Sequence, residues 1–204
     1  MNIEKLAKGT LAAGTLFCLS MAAQAASVTY SAIGTTDGDD GTGFSAAGSV
    51  QVDDALVIDV SNFALGGSGA ITDTITFTVT ADPGQYITGL FYSESGNYLA
   101  QQGTTGAIVQ LLANNAGPVA GTSVNAGLDG AWGPLGQSID LTGQNLTSVN
   151  VSILNVLWAS NAAINKTEAS LTATVAPIPL PAAVWMLGTS LASLLVVTGP
   201  NRRA

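Results

Sequence analysis

The sequence predicts an all-β protein: a single antiparallel β-sandwich, jelly-roll-like, carried between two short terminal segments. Three observations predict it. Apolar residues between positions 27 and 175 recur with period two far more than with period 3.6, the mark of half-buried strands. Clusters of Gly, Pro, Asn and Asp separate these runs at short intervals, as turns do in sandwiches and barrels. The chain has 204 residues and is 47% hydrophobic, enough for one domain with a real core.

The expected strands, in chain order, cover residues 28–33, 44–52, 56–65, 71–80, 86–92, 107–112, 149–157 and 168–175. The run 71–80 has the cleanest pattern. Ile71, Asp73, Ile75, Phe77 and Val79 fall on one face, and Thr72, Thr74, Thr76, Thr78 and Thr80 on the other. β-branched threonines suit the wet face of a pleated strand. Turns are expected at 38–41, 66–69, 82–84 and 114–118, and Asp53 with Asp54 forms a turn between two strands. The stretch 113–136 is rich in Gly and Pro with weak alternation, and reads as a long surface loop with a short edge strand. Trp158 ends an apolar strand and is expected in the core.

Composition excludes several kinds of chemistry. With no histidine there is no Ser-His-Asp or Cys-His catalysis and no imidazole metal site. A single cysteine, Cys18, allows neither an intramolecular disulfide nor a Cys-based zinc cluster. The net charge is −8. Between residues 26 and 176 the sole base is Lys166, against twelve acids. Such a field repels phosphate backbones, so no nucleic-acid partner is expected. No Gly-x-Ser-x-Gly elbow or phosphate-binding loop is present, and the expectation is a protein that is not an enzyme.

Both ends read as targeting segments. Residues 1–25 combine Lys5 and Lys8, an apolar run over 11–23, and small residues at Ala23 and Ala25. This is the pattern of a secretory signal peptide, with cleavage expected after Ala25 by a signal peptidase following Sec-type export. Phe17 precedes Cys18 where a lipoprotein signal carries a small residue, which argues against a lipid anchor. At the other end, residues 177–181 contain Pro177, Pro179 and Pro181, which end any preceding strand. An uncharged run over 182–198 follows, then Arg202 and Arg203. As a helix the run spans roughly 25 Å, at the short limit for crossing a bilayer. The arginines are expected to stay in the cytoplasm as the stop of a membrane anchor.

Pro177, Pro179, Leu180, Pro181 and Ala182, the helix behind them and the terminal arginines resemble the PEP-CTERM sorting signal of Gram-negative bacteria. Residues 178–188 are similar to the variant whose signature reads Val-Pro-Leu-Pro-Ala (VPLPA-CTERM). Ile178 replaces the valine of that signature, and Leu180 stands where the namesake motif has glutamate. The resemblance covers roughly residues 177–203. It implies an inner-membrane-anchored precursor, processed by an exosortase-like enzyme and delivered to the cell surface or extracellular matrix in an exopolysaccharide-producing bacterium. It implies nothing about the body. The resulting division is residues 1–25 as signal peptide, 26–175 as the β domain and 176–204 as the sorting segment, with its transmembrane helix at about 182–198.

The body offers two further candidate sites. Asp37, Asp39 and Asp40 cluster on a glycine-flanked loop, the ligand type that calcium takes. Gly41 and Thr42 break the EF-hand pattern, so a solvated acidic turn is the expectation and no cofactor is required. Tyr92, Tyr98 and Trp132 lie near Gln101 and Gln102 or in a glycine-rich stretch. Sugars offer both C–H faces and hydroxyls, so aromatic and amide side chains together suit a glycan surface. The competing reading has these rings closing the core at a hairpin. The functional expectation is an exported, non-enzymatic surface or matrix protein, associated with biofilm exopolysaccharide. The alternative is a carbohydrate- or calcium-binding module in the same place.

Overall fold

The structure is a computed structural model. It describes residues 28–36, 42–100, 102–114, 117, 119–124, 128–179 and 182–197. Among these residues there are nine strands, all paired antiparallel, and one helix. The strands are β1 (Val28–Thr35), β2 (Gly43–Val52), β3 (Ala55–Asn62), β4 (Ala64–Ala81), β5 (Gln85–Ala100), β6 (Thr104–Ala113), β7 (Val119–Val124), β8 (Leu128–Asp140) and β9 (Ser148–Pro177). The helix is α1 (Ala182–Val197). The predicted all-β class therefore holds, as a sandwich-like or barrel-like antiparallel fold.

The 30-residue β9 organises the molecule. Its first half lies between β4 and β6, and its second half between β3 and β5. With the outer strands added, one ladder runs β1-β4-β9-β6-β7 and the other β2-β3-β9-β5-β8. The neighbours change over near residues 161–166. There Asn161 takes a left-handed φ of 52°, β4 shifts register between Gly67 and Gly69, and β5 shifts between Ser95 and Gly96. Bulges of this kind bend a sheet sharply. The bend turns the two ladders toward each other around one core. Tyr30 of β1 accordingly donates to the carbonyls of Asp54 and Leu171 in the opposite ladder, at 2.7 and 3.2 Å. Tyr30 also packs edge-on against Phe77, with ring centroids 5.9 Å apart.

Period two explains what is buried. In β4, Asp73, Ile75, Phe77 and Val79 point inward, while Thr72, Thr76 and Thr80 are exposed. Leu56, Ile58 and Val60 of β3, Ile153 and Leu157 of β9, and Val109 and Leu111 of β6 complete the core. Where β1 and β2 approach without forming a ladder, the Gln51 side chain takes its place. Its amide accepts from Tyr30 N at 3.1 Å and donates to the Val28 carbonyl. Filling an unpaired strand edge in this way satisfies backbone groups that would otherwise be orphaned.

Several local expectations need correction. The stretch 113–136, read as a long loop with a short edge strand, holds that edge strand as β7, which pairs only with β6 among the described residues, but also much of β8, which was not expected. Residues 66–69 form no chain-reversing turn; they lie within β4, where positive φ at Gly67 and Gly69 bends the strand. The runs 149–157 and 168–175 are one strand, β9, because polar residues at the bend break the hydrophobic pattern without ending the pairing. Trp158 is half-buried and continues β9. The body extends past 175: Pro177 pairs with Gln85, and Ile178 N donates to the Gly84 carbonyl at 2.8 Å. The turn at Asp53 is present, with φ 51°.

Candidate functional site

The most unusual chemistry of the body lies inside it. The alternation of β5 carries Leu90, Tyr92 and Glu94 inward, and that of β9 carries Asn155 and Lys166 inward. The Glu94–Lys166 ion pair has both side chains fully buried, with Nζ 2.5 Å from Glu94 Oε2. The same oxygen accepts from the Tyr92 hydroxyl at 2.6 Å and from Asn155 Nδ2 at 2.5 Å. Lys166 Nζ sits 4.5 Å from the Phe63 ring centroid and 5.0 Å from that of Phe44, within cation–π range. Asp73, paired across the ladder with Asn155, accepts from Phe44 N at 2.8 Å and from the Thr36 hydroxyl at 3.2 Å.

Burial dominates the electrostatics. Loss of water pulls the Lys166 ammonium down to about 8, while the charges of Glu94 and Asp73 act the other way. Tyr92 is pushed well above its ordinary value, first by burial and then by the neighbouring Glu94 charge. Two buried acceptors in the cluster, Glu94 Oε1 and Asn155 Oδ1, have no protein donor among the described residues. A native core rarely leaves such groups unpaired.

The sequence singled out neither Glu94 nor Lys166. A signal was nevertheless there: Lys166 is the sole base of the body, and Glu94 lies in register with Tyr92 and Leu90. That register could not be read as inward from the sequence, because a bulge between Ile87 and Gly89 resets the alternation of β5.

The structure does not bring the three candidate sugar-binding aromatics to one surface. Tyr92 is fully buried, and Trp132 is 5% exposed in β8, donating from Nε1 to the Asn165 carbonyl at 3.1 Å. Both close the core, so neither can offer a ring face to a glycan. Tyr98 is half-buried beside Asn97, Asn165, Leu65 and Leu99 in a shallow groove of about 530 Å³. Phe91 is 52% exposed on the outer face of β5.

The remaining sequence-derived sites fall mostly elsewhere. Ala23, Ala25, Asp37, Asp39, Asp40, Leu180, Pro181, Arg202 and Arg203 lie outside the described residues. Pro177 ends β9, Pro179 follows it, and Ala182 opens α1. α1 coincides with the predicted apolar run. It has 16 residues, and among the described residues no helix is long and apolar enough to cross a membrane. Also among the described residues, no group of three or more Asp, Glu, His or Cys side chains could hold a metal ion.

No family model matches the chain, and no curated protein matches it in sequence. Among solved structures, the chain is similar to the carbohydrate-binding module TmCBM61 in complex with β-1,4-galactotriose. The identity is 8%, the alignment covers 72% of this chain and 88% of that one, and the TM-score is 0.29. It is also similar to the VP2 subviral particle of infectious bursal disease virus, at 10% identity, covering 76% of this chain and 38% of that one, with a TM-score of 0.20. At such scores neither likeness bears on function.

Proposed function

We propose that the chain is an exported, non-enzymatic protein of the cell surface or extracellular matrix, sorted through its C-terminal segment. The observation that supports this is the order of parts. A β body closes around its own core, Pro177 ends its last strand, and an apolar helix follows within a few residues. In this reading the body is a jelly-roll-like sandwich that serves as bulk material. The proline segment is the processing signal for an exosortase-like enzyme, and the helix with Arg202 and Arg203 holds the precursor in the inner membrane. The 16-residue helix is short for a bilayer that takes about 20 residues, so tilt cannot help and the flanking arginines carry more of the retention. The test is fractionation of a chain truncated after Ile178, whose amide bonds to the body at Gly84. It should move to the soluble secreted fraction and keep its β-rich circular dichroism. A full-length chain found free in the periplasm would defeat the anchor.

A second reading, a carbohydrate-binding module in the same location, is favoured by the Tyr98 groove, where an aromatic ring lies beside Asn97 and Asn165. Affinity electrophoresis against soluble neutral polysaccharides tests it. Retardation that disappears with Tyr98→Ala would favour binding over a purely structural role.

A further inference from the structure

Lys166, Glu94 and Asn155 are each at most 3% exposed, and they meet at one atom. Glu94 Oε2 takes both the Lys166 amine and the Asn155 carboxamide nitrogen at 2.5 Å. The amine therefore lies within twice that distance of the carboxamide, inside a wall formed by Phe44 and Phe63. As a permanent ion pair this arrangement is costly. Two charges have been taken out of bulk water, and among the described residues one oxygen of the carboxylate has no protein donor. Apolar residues of similar volume would fill the same space without that penalty. As reactants the same groups are well placed. A primary amine, an acyl group and a proton carrier are held together, shielded from bulk solvent, by the sheet.

We propose that Lys166 and Asn155 become joined by an amide bond inside the folded core, with Glu94 carrying the protons and ammonia released. The Lys166 ammonium first gives a proton to Glu94. The neutral amine then attacks Asn155 Cγ, forming the Cγ–Nζ bond and placing negative charge on Oδ1. Glu94 relays a second proton from the new ammonium centre to Nδ2. The Cγ–Nδ2 bond breaks, and Nδ2 leaves as ammonia. The product is a secondary amide with a neutral Glu94 acid beside it. Atoms and charge balance with no oxidant, metal or cofactor.

Three features favour the step. Holding amine and acyl group on one shared oxygen replaces an encounter from solution, so the entropy of bringing them together is met in folding. Burial already brings the lysine down to about 8, so the neutral amine is accessible. The step also converts a buried ion pair into two neutral groups, and it turns Glu94, an acceptor only when ionised, into a donor for an oxygen that lacks one. Both ends of the bond lie on β9, on either side of its bend at Asn161. The link would thus lock the bend that holds the two ladders face to face. That property suits a cysteine-free body outside the cell, although the proposal stands without the localisation.

The test uses the full chain. Its intact mass is measured under denaturing conditions, and the denatured chain is then digested with a lysine-specific protease. The expected mass falls short of the sequence by one ammonia, and cleavage after Lys166 fails. Asn155→Ala and Lys166→Met should each show the full sequence mass, as should Glu94→Ala. These masses are read on unfolded chain, so a variant that folds poorly still reports. A wild-type chain of full mass, cut normally after Lys166, overturns the proposal. So does an ammonia loss that persists in Lys166→Met, which would mark a succinimide at asparagine. Loss of water in place of ammonia would move the acyl partner to a carboxylate such as Asp73 and overturn the assignment to Asn155.

Discussion

Replacing Tyr30 by Phe tests whether the two ladders are tied through a hydrogen bond or by packing alone. The substitution removes one oxygen. The ring stays against Phe77, and no cavity larger than the hydroxyl is made. What is lost is a donor that reaches the carbonyls of Asp54 and Leu171 across the core, at 2.7 and 3.2 Å. One hydroxyl proton serves both acceptors, so the loss is about one net hydrogen bond plus part of the desolvation of a buried carbonyl, about 1–2 kcal/mol. For a body of this size that lowers Tm by roughly 2–8 °C. Urea unfolding followed by tryptophan fluorescence, with Trp132 in the core as reporter, measures it. Tyr86→Phe, at a half-buried tyrosine of β5, is the control. The pH dependence adds a second arm. Burial raises Tyr30 to about 12 from an ordinary 10.0. Below pH 10 the phenol is protonated in both states and its contribution is whole. Between pH 10 and about 12 the unfolded chain releases the proton first, so stability falls as pH rises. Tyr30→Phe should fall less steeply there; Tyr92, raised in the same direction, adds to the remaining fall, and Lys166, lowered from 10.5 to about 8, opposes it in the lower part of the window. A variant within about 0.3 kcal/mol of the parent, below the net worth of one hydrogen bond, with an unchanged alkaline slope, would refute the reasoning.

Gly96→Ala should destabilise by about 1–3 kcal/mol or more, because its Cβ would press on the Asn165 carbonyl oxygen and lie 2.5 Å from Trp132 Nε1. Gly34→Ala, with open space around it, should stay within about 0.5 kcal/mol in the same denaturation assay. Millimolar calcium should leave Tm unchanged, since a ligand must bind the folded state to raise it; a clear rise lost in Asp39→Ala would establish the acidic loop as a site. N-terminal sequencing of exported protein should begin at Ala26, and an intact Met1 on exported protein would remove the signal-peptide reading.

The all-β class was legible because period two survives in single strands. Ile75, Phe77 and Val79 declare their buried face against the threonines between them, whatever β4 pairs with. The Asp53 turn and the uncharged run that became α1 were legible for the same reason, being properties of neighbours in the chain. The sequence by itself also determined that imidazole and disulfide chemistry are absent from the body, because composition needs no fold.

Tertiary structure alone decided the rest. Strands β7 and β8 alternate weakly, so their pairing with β6 and β5 supplied what local pattern did not. Two of the three aromatics nominated for a surface, Tyr92 and Trp132, proved to be core, because exposure depends on which layer covers a face: Tyr92 faces the opposite ladder, and Trp132 reaches Asn165. The Glu94–Lys166–Asn155 cluster was hidden for a stronger reason. A charged residue in a sequence is read as solvated, since burying a charge costs far more than an exposed contact returns. Only a bend in β9 and a bulge in β5, both set by long-range pairing, place an amine, a carboxylate and a carboxamide around one buried oxygen.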